Sequence, residues 1–251
     1  MSGAHVVLIH GAWAGPWVWD TITEPLAAAG HTPHAVALPG TGLGQPENVT
    51  LDTLTRAVIS QVDHLEKPLI LVGHSGGSVV ATQVAEEISH RVVGVVHVAG
   101  IMLPSDRPFT EVCAEAGLPS DVGIGTHLTL TPDGRHSIVS PEAAAAVFFP
   151  QAPPAAAIAA ARRMVPQMET ARLITPTWTP ERYGRLPRLY VEARQDRSIP
   201  LAAQRHMQYL TPNTAVVSLD CDHAPQLSAA GPLAEALASF CTVVSGATRT
   251  T

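Results

Sequence analysis

The chain has 251 residues, of which 46% are hydrophobic and 14% are charged, and it carries a net charge of −6 at pH 7. This composition is typical of one globular domain with a full hydrophobic core, and a negative chain without long blocks of like charge is an unfavourable partner for nucleic acid. A small uncharged ligand suits such a surface better.

Three scattered cysteines, Cys113, Cys221 and Cys241, exclude a disulfide framework and a CxxC metal site, so we expect buried thiols. The opening residues, MSGAHVVLIH, have neither the basic nor the cleavable apolar part of a signal peptide. A later Ala-rich stretch is interrupted by prolines, which argues against a membrane span. We therefore expect a cytoplasmic protein with no membrane partner.

Six short, β-branched apolar runs predict strands that are buried on both faces. In chain order they are VVLIH (6–10), HAVAL (34–38), LILVG (69–73), VVGVVHVA (92–99), RLYVEA (188–193) and AVVSLD (215–220). Apolar residues at helical spacing follow the second run behind a capping Thr50, follow the third run, and recur from Leu233 to Cys241. This alternation predicts an α/β fold with a mostly parallel, doubly wound sheet of about six strands.

The alternation stops between Pro104 and Pro180, a segment that holds half of the chain's 22 prolines. We therefore expect residues 104–180 to form a helical cap, inserted into a core that consists of residues 1–103 and 181–251.

Two helices are predicted within this cap. SPEAAAAVFF indicates a helix capped by Ser140 with Pro141 in its first turn, and PPAAAIAAARRM indicates a second short helix. Large apolar side chains of the cap and the core are expected to line a substrate pocket between them. The predicted pocket residues are Gly11, Trp13, Met102, Phe148, Phe149 and Trp178.

The stretch VGHSGGS (72–78) joins the third predicted strand directly to a predicted helix. A bend this sharp forces its central residue, Ser75, into a strained backbone conformation, and the positions two before and two after it must be small. Gly73 and Gly77 occupy those positions. The GxSxG pattern therefore predicts a nucleophile elbow, which presents the Ser75 hydroxyl at the carboxyl end of the sheet beside a helix N-terminus.

A serine hydroxyl needs a base to take its proton and an acid to orient that base. In chains with this elbow the order is serine, acid, histidine. His223 lies between the last predicted strand and the last helix, where a base would project from a loop. Since His206 lies inside the helical stretch LAAQRHMQYL, we predict that His223 is the base.

The acid is predicted from the loops that follow strands. Asp196 lies in EARQDRSIP, directly after the strand RLYVEA, and is the preferred candidate. Asp106, after the neighbouring strand, is its rival. Asp220 and Asp222 are too close to the histidine along the chain for an easy approach, and we expect them to shape its loop.

Ester hydrolysis passes through an oxyanion, for which a site must offer preformed donors. The predicted donors are the backbone N–H groups of Gly76, directly after the nucleophile, and of Ala12, in the loop HGAW after the first strand. Gly11 lets this loop approach the substrate closely, and we expect His10 to brace it by hydrogen bonds. No histidine pair has HxxxH spacing with a nearby carboxylate, so neither a metal nor a cofactor is predicted.

Together, the elbow, HGAWAGPWVW, DRSIP and DHAPQLS resemble the α/β-hydrolase family, in particular its branch of plant methyl-ester esterases and hydroxynitrile lyases. The likeness covers nearly the whole chain, including PEAAAAVFFPQAPP and MVPQ in the cap. It implies an α/β-hydrolase fold, esterase activity, a triad of Ser75, Asp196 and His223, and an oxyanion hole formed by the backbone of Ala12 and Gly76.

The chain also departs from that branch. Its lyases resemble the esterases but carry a threonine and a lysine where this chain has Gly11 and Ala224, which favours hydrolysis over cyanohydrin cleavage. Family members also carry a histidine at the position of Ala14 and a bulky residue at that of Gly76, so both replacements open space beside the nucleophile.

The leading hypothesis is a cofactor-independent serine hydrolase that cleaves a small, largely apolar carboxylic ester or lactone through an acyl-enzyme. Two alternatives stay open: a carbon–carbon bond hydrolase or lyase with the same triad, and a non-catalytic ligand-binding protein on a hydrolase scaffold. The identity of the substrate also stays open, as does the oligomeric state, for which a homodimer is one option.

Overall fold

The computed structural model describes residues 3–44, 48–65, 68–119 and 123–247. Residues 120–122, which belong to the predicted cap, lie outside these ranges. Nine strands in the described ranges form two sheets. They are β1 (His5–Ile9), β2 (Thr32–Val36), β3 (Leu69–His74), β4 (Val92–Val98), β5 (Leu128–Leu130), β6 (His136–Val139), β7 (Gln167–Met168), β8 (Arg188–Ala193) and β9 (Thr214–Leu219).

The larger sheet is parallel throughout, with the strand order β2-β1-β3-β4-β8-β9. Its six strands arise from the six apolar runs, so the predicted sheet is confirmed. The expectation that every run is buried on both faces is wrong for β2 and β9, which form the two edges and expose residues such as Ala35 and Val216. An apolar run alone does not distinguish an edge strand from a central one, because both use the same residue types.

Ten α-helices in the described ranges flank and cap the sheet, and none of them combines the length and the apolar character of a membrane-crossing helix. They are α1 (Asp20–Ala28), α2 (Leu51–Val62), α3 (Gly77–Glu87), α4 (Phe109–Glu115), α5 (Pro141–Val147), α6 (Pro154–Arg163), α7 (Glu169–Arg172), α8 (Leu201–Leu210), α9 (Pro225–Ser228) and α10 (Ala230–Ala247).

Both predicted helix caps are present. The Thr50 hydroxyl oxygen accepts a hydrogen bond from the Thr53 N–H (3.4 Å) ahead of α2, and the Ser140 hydroxyl oxygen accepts one from the Ala143 N–H (3.2 Å) ahead of α5. Each bond pairs a backbone donor that the first helical turn leaves without an intrahelical partner.

The core has two layers, one on each face of the larger sheet. Along β1, Val6 and Leu8 pack with α1 and α10 on one face, whereas Val7 and Ile9 pack with α2 and α3 on the other. All four side chains are fully buried. Burial of each one contributes about 1.5–3 kcal/mol. The three cysteines are buried free thiols, as predicted.

The cap segment contains a sheet that the sequence did not predict. Strands β5, β6 and β7 pair antiparallel in that order, beside the expected helices α5 and α6. The turn between β5 and β6 is held by Asp133, whose carboxylate accepts hydrogen bonds from the Thr131 hydroxyl (2.6 Å) and the Arg135 N–H (3.1 Å). The segment is therefore not purely helical, and its strands are too short to give a period-two pattern.

Glu86 of α3 joins the chain that returns from the cap to the core. Its buried carboxylate accepts hydrogen bonds from the Thr179 N–H (3.1 Å), the Thr179 hydroxyl (2.8 Å) and the Tyr183 N–H (3.0 Å). Because α3 begins directly after Ser75, this contact fixes one end of the cap segment to the helix that follows the elbow.

Three histidines of the core are enclosed and neutral. Burial lowers the pKa of His10 to about 4. Burial is also the main cause of the pKa values of about 3 for His74 and His97, and the positive charge of Arg188 contributes to the lowering at His97. Each ring has a hydrogen-bond partner that a neutral imidazole can serve, for example the Tyr183 hydroxyl 3.0 Å from His97 Nε2. These rings act as polar parts of the core.

We expect the free energy of unfolding to decrease as the pH is lowered from 6.5 to 5. The three histidines take up protons near pH 6.5 in the unfolded chain but stay neutral in the folded chain. Their contribution to the free energy of unfolding is therefore complete above pH 6.5 and decreases below it. The expected slope is about 1.4 kcal/mol per pH unit for each histidine. Urea unfolding followed by circular dichroism at several pH values measures it.

Two variants test the assignment. His97→Gln is expected to remove one histidine's share of the slope, whereas His90→Gln, at an exposed position, is expected to leave the slope unchanged. A wild-type stability that stays constant between pH 6.5 and 5 would contradict the neutral, buried state of these rings.

Candidate active site

Ser75 lies at the bend between β3 and α3, in the left-handed backbone region with φ = 53°. Such a conformation costs a residue other than glycine about 1–3 kcal/mol. Gly73 and Gly77 make the bend possible: a Cβ on Gly73 would collide with the backbone of Ser78, and one on Gly77 would collide with the His10 carbonyl oxygen. The predicted strand–turn–helix arrangement around Ser75 is present, with the serine at the carboxyl end of the central strand.

Asp196 and His223 come together at the same edge of the sheet. Asp196 follows β8 and His223 follows β9, and the His223 Nδ1–H donates a hydrogen bond to the Asp196 carboxylate at 2.7 Å, with both side chains buried. The other Asp196 oxygen accepts from the N–H groups of Ser198 (2.7 Å) and Ile199 (2.9 Å). These bonds fix the carboxylate, which in turn fixes the imidazole with its Nδ1 protonated and its Nε2 free to accept a proton.

The loop that carries His223 is held from two sides. His74, the last residue of β3, donates its Nε2–H to the His223 carbonyl oxygen (2.8 Å). Asp222 accepts hydrogen bonds from the Ser228 hydroxyl (2.6 Å) and, across to the cap, from the Gln151 N–H (2.8 Å). Asp222 therefore shapes the loop, as predicted.

Ser75 and His223 line a common small cavity, but no hydrogen bond joins their side chains in the described part of the chain. Catalytic hydrogen bonds are often long or poorly aligned before a substrate binds. The arrangement therefore brings the imidazole to the serine's side of the sheet edge without a hydrogen bond between the two side chains.

The loop after β1 approaches Ser75 closely. A Cβ on Gly11 would lie 2.8 Å from the Ser75 Cβ, so only glycine fits there. His10 braces the loop as expected: its Nδ1–H donates to the Gly11 carbonyl oxygen (2.8 Å), and its Nε2 accepts from the Leu38 N–H (3.2 Å). The low pKa of His10, about 4 through burial, keeps the ring in this neutral form.

The backbone N–H groups of Ala12 and Gly76 donate to no other group in the described part of the chain. Both residues line the larger of two cavities that meet at Ser75. A Cβ on Gly76 would have no neighbour within 4 Å, so this position leaves open space beside Ser75. Two unpaired donors beside a hydroxyl can stabilise negative charge on an oxygen bound between them.

The larger cavity has a volume of about 420 Å³ and lies between the sheet edge and the cap, whereas the smaller has a volume of about 30 Å³. Ser75, Gly11, Ala12 and Trp13 line both cavities. His223 lines the smaller one and is absent from the wall of the larger one.

The predicted pocket residues divide into two groups. Gly11 and Trp13 line both cavities, and Phe148 and Phe149 line the smaller one. Met102 and Trp178 line neither of the two cavities, contrary to expectation.

Met102 and Trp178 make their contacts away from the two cavities. The Met102 side chain is fully buried, and its sulfur accepts a hydrogen bond from the hydroxyl of Thr214, the first residue of β9 (3.9 Å). Trp178 packs edge to face on Tyr183, and its indole N–H donates to the Leu103 carbonyl oxygen (3.0 Å). A large apolar side chain in a cap segment therefore does not by itself indicate a cavity wall.

The remaining candidates are engaged outside the site. Asp106 accepts hydrogen bonds from the Thr177 hydroxyl (2.6 Å) and the Ser105 hydroxyl (3.1 Å) and holds the chain that returns from the cap. His206 of α8 pairs with Glu115 (3.2 Å). Among the described residues, no three His, Cys, Asp or Glu side chains are arranged to hold a metal ion.

Sequence reasoning missed much of the wall of the larger cavity. Ile101 and Ile199 follow β4 and β8, so their position after a strand could have indicated them. Gln167 and Arg172 line the same cavity from the cap, where no sequence pattern marks a wall residue. Further apolar wall residues are Leu54, Val79, Val80, Phe109, Ile124 and Ile174.

Comparison with known proteins agrees with this architecture. The family model described as "Alpha/beta hydrolase family" matches residues 6–236. A pyrethroid hydrolase of Sphingobium wenxiniae is 32% identical over 254 residues, which cover 96% of this chain and 88% of that protein. Methylesterase 7 of Arabidopsis thaliana is 28% identical over 236 residues, which cover 88% of this chain and 90% of that protein.

Solved structures give the same result. A pyrethroid hydrolase from Sphingobium faniae JZ-2 superposes with a TM-score of 0.81 at 28% identity, covering 95% of this chain and 97% of that one. Tomato methylketone synthase I shares the fold, with a TM-score of 0.83 at 20% identity, covering 97% of this chain and 100% of that one. With the elbow geometry, the sheet order and the family model all in agreement, the chain belongs to the alpha/beta hydrolase family.

Proposed function

We propose that this chain is a serine esterase that hydrolyses a small, largely apolar carboxylic ester or lactone through an acyl-enzyme on Ser75. The observation that carries the proposal is the buried hydrogen bond of 2.7 Å between Asp196 and His223, at the sheet edge where the strained Ser75 presents its hydroxyl. The chain's relatives include proteins named pyrethroid hydrolase and methylesterase, which supports a carboxylic ester as the substrate.

In the first step, His223 Nε2 takes the proton of the Ser75 hydroxyl while the serine oxygen attacks the ester carbonyl carbon. Asp196 stabilises the imidazolium that forms, because its carboxylate already accepts the Nδ1–H. The imidazolium then protonates the departing alcohol, which leaves an acyl group on Ser75. A water molecule activated by the same histidine releases the acid and restores the serine.

The carbonyl oxygen carries a negative charge in the tetrahedral intermediates of both steps. The N–H groups of Ala12 and Gly76 are proposed to donate to this oxygen, which is supported by their position in the cavity wall and by their lack of another acceptor. Preformed donors of this kind need no reorganisation during the reaction. Removal of one such donor typically costs a factor of about 10²–10³ in kcat.

The two cavities suggest how an ester is oriented. The departing alcohol must reach His223, which lines only the smaller cavity, so a small alcohol is proposed to occupy that cavity. The acyl part is proposed to occupy the larger cavity, whose volume of about 420 Å³ accommodates a bulky group. The walls are mainly apolar, which favours an uncharged acyl chain or ring.

Two finer expectations from the sequence stay predictions. These are a cytoplasmic location and a homodimeric assembly.

We expect Ser75→Ala to lose at least about 10³-fold in kcat toward aryl and alkyl esters, because no other group can form the acyl-enzyme. Labelling by a fluorophosphonate probe is expected to disappear in the same variant. Ser60→Ala, at an exposed position on α2, is the matched control and should keep both properties. A Ser75→Ala protein with full esterase activity would refute the proposal, and a wild-type protein inert to every ester and to the probe would favour a ligand-binding role.

The variants Asp196→Asn and Asp106→Asn test which of the two candidate carboxylates orients the histidine. Asp196→Asn retains an oxygen for the Ser198 and Ile199 N–H groups but cannot stabilise the imidazolium, so kcat is expected to fall by a factor on the order of 10⁴. Asp106→Asn is expected to stay near the wild-type value. Steady-state kinetics together with melting temperatures measure both, and the reverse pattern would transfer the role to Asp106.

The proposed orientation predicts a preference between two isomeric esters. Methyl cyclohexylacetate has a bulky acyl group and a small alcohol, whereas cyclohexylmethyl acetate has the reverse. We expect kcat/KM to be at least about tenfold higher for the methyl ester, because a misplaced ring would not fit the smaller cavity. Alkaline hydrolysis rates of the two esters provide the chemical baseline, and an equal or reversed preference would rule out this orientation.

A further inference from the structure

Trp13 links the loop after β1 to the cap through its backbone. Its N–H donates to the Gln167 side-chain oxygen (3.1 Å), and its carbonyl oxygen accepts from the Val165 N–H (3.0 Å). Trp13 adopts φ = 57°, which is rare for a bulky side chain and costs about 1–3 kcal/mol. A residue keeps such a conformation only when its surroundings enforce it, and here both flanking hydrogen bonds come from the cap.

The Gln167 side chain is buried, and both the oxygen and the nitrogen of its amide form hydrogen bonds. Its oxygen accepts from Trp13, and its nitrogen donates to the carbonyl oxygens of Gly40 (3.1 Å) and Met168 (3.4 Å). The partners determine which end of the amide is oxygen, because a backbone N–H can only donate and a carbonyl can only accept. One side chain thus ties together the loop after β1, the loop after β2 and strand β7.

This contact bears directly on Ala12. The peptide group between Gly11 and Ala12 contains the Ala12 N–H, and His10 holds its carbonyl oxygen at 2.8 Å. The next peptide group, between Ala12 and Trp13, contains the N–H that Gln167 holds. Both peptide planes beside Ala12 are therefore fixed, one by a histidine of the core and the other by a glutamine of the cap.

We propose that Gln167 is a positioning residue for the oxyanion hole, which keeps the Ala12 N–H aimed at the substrate's carbonyl oxygen by holding the Trp13 backbone in its left-handed conformation. The inference rests on the proposed esterase function. It means that the hole is complete only while the cap strand that carries Gln167 is docked on the core.

The test compares kcat, KM and the affinity of an alkyl trifluoromethyl ketone, which forms a tetrahedral adduct with a reactive serine. Gln167→Met keeps the length of the side chain but removes its hydrogen bonds. We expect kcat to fall about 10- to 100-fold. This decrease is at most equal to the factor of about 10²–10³ that removal of a complete oxyanion donor costs. The inhibition constant of the ketone should rise by a similar factor, while KM stays within about twofold.

Two further variants show whether the Trp13 N–H bond is responsible. Ser137→Ala removes the hydrogen bonds of the Ser137 hydroxyl with the Trp13 indole N–H (3.1 Å) and the Gln167 carbonyl oxygen (3.5 Å). It leaves the bond between the Trp13 N–H and the Gln167 side chain, so it should behave like the wild type. In Gln167→Glu, burial beside the carbonyl oxygens of Gly40 and Met168 favours the protonated carboxyl, whose hydroxyl donates to Gly40 while its other oxygen accepts from the Trp13 N–H. Its kcat should therefore lie closer to the wild type than that of Gln167→Met.

The outcomes are distinct. A Gln167→Met protein with wild-type kcat and ketone affinity would overturn the inference, and so would a loss confined to KM, since Gln167 also lines the larger cavity. An equal loss in Ser137→Ala would assign the effect to general loosening of the cap.

If Gln167→Met does not fold, a Gln167→Glu protein with kcat and ketone affinity both reduced 10-fold or more would overturn the inference, and one near the wild type would support it. Failure of the proposed function is recognised separately, because the wild type would then show no Ser75-dependent hydrolysis.

Discussion

The close approach of three chain segments around Ser75 is the constraint on which the rest of the site depends. The strand β3 ends, the helix α3 begins, and the loop after β1 passes so near that Gly11, Gly73 and Gly77 leave no room for a side chain. This crowding accompanies the positive φ of Ser75 and places Ala12 and Gly76 beside the serine in the wall of the larger cavity. Substitution of any of the three glycines would therefore disturb Ser75 and the backbone segments beside it together.

Two buried histidines, His10 and His74, hold the loops of this arrangement in place. His10 and His74 are kept neutral by burial, with pKa values lowered to about 4 and about 3, and each donates one N–H to a backbone oxygen of a site loop. A neutral imidazole can brace a loop without adding charge beside His223, whose charge would change in the proposed mechanism. His10 and His74 hold loops, whereas His223 is bound to a carboxylate. These differences follow from the partners of each ring and not from the residue type.

The sequence was informative where local chemistry and geometry coincide. The elbow, the six strands of the main sheet, the caps at Thr50 and Ser140, and the loops that carry Asp196 and His223 all follow from short patterns, because each depends on residues adjacent in the chain. The edge positions of β2 and β9, the sheet in the cap and the burial of Met102 depend on which segments pack together, and no local period encodes that. For the same reason, Gln167 could not be recognised: its role comes from partners 154 and 127 positions away along the chain.

The junction between Trp13 and the cap has a consequence for protein engineering. Segment 104–180 forms much of the wall of the larger cavity, so its exchange is one way to change the shape of that cavity. In this chain a transplanted cap would also have to supply an amide oxygen to the loop after β1 and a backbone N–H to the Trp13 carbonyl oxygen. A chimaera chosen for cavity shape alone would lose both contacts, so that its binding wall would suit a new ligand while its reaction centre relaxed.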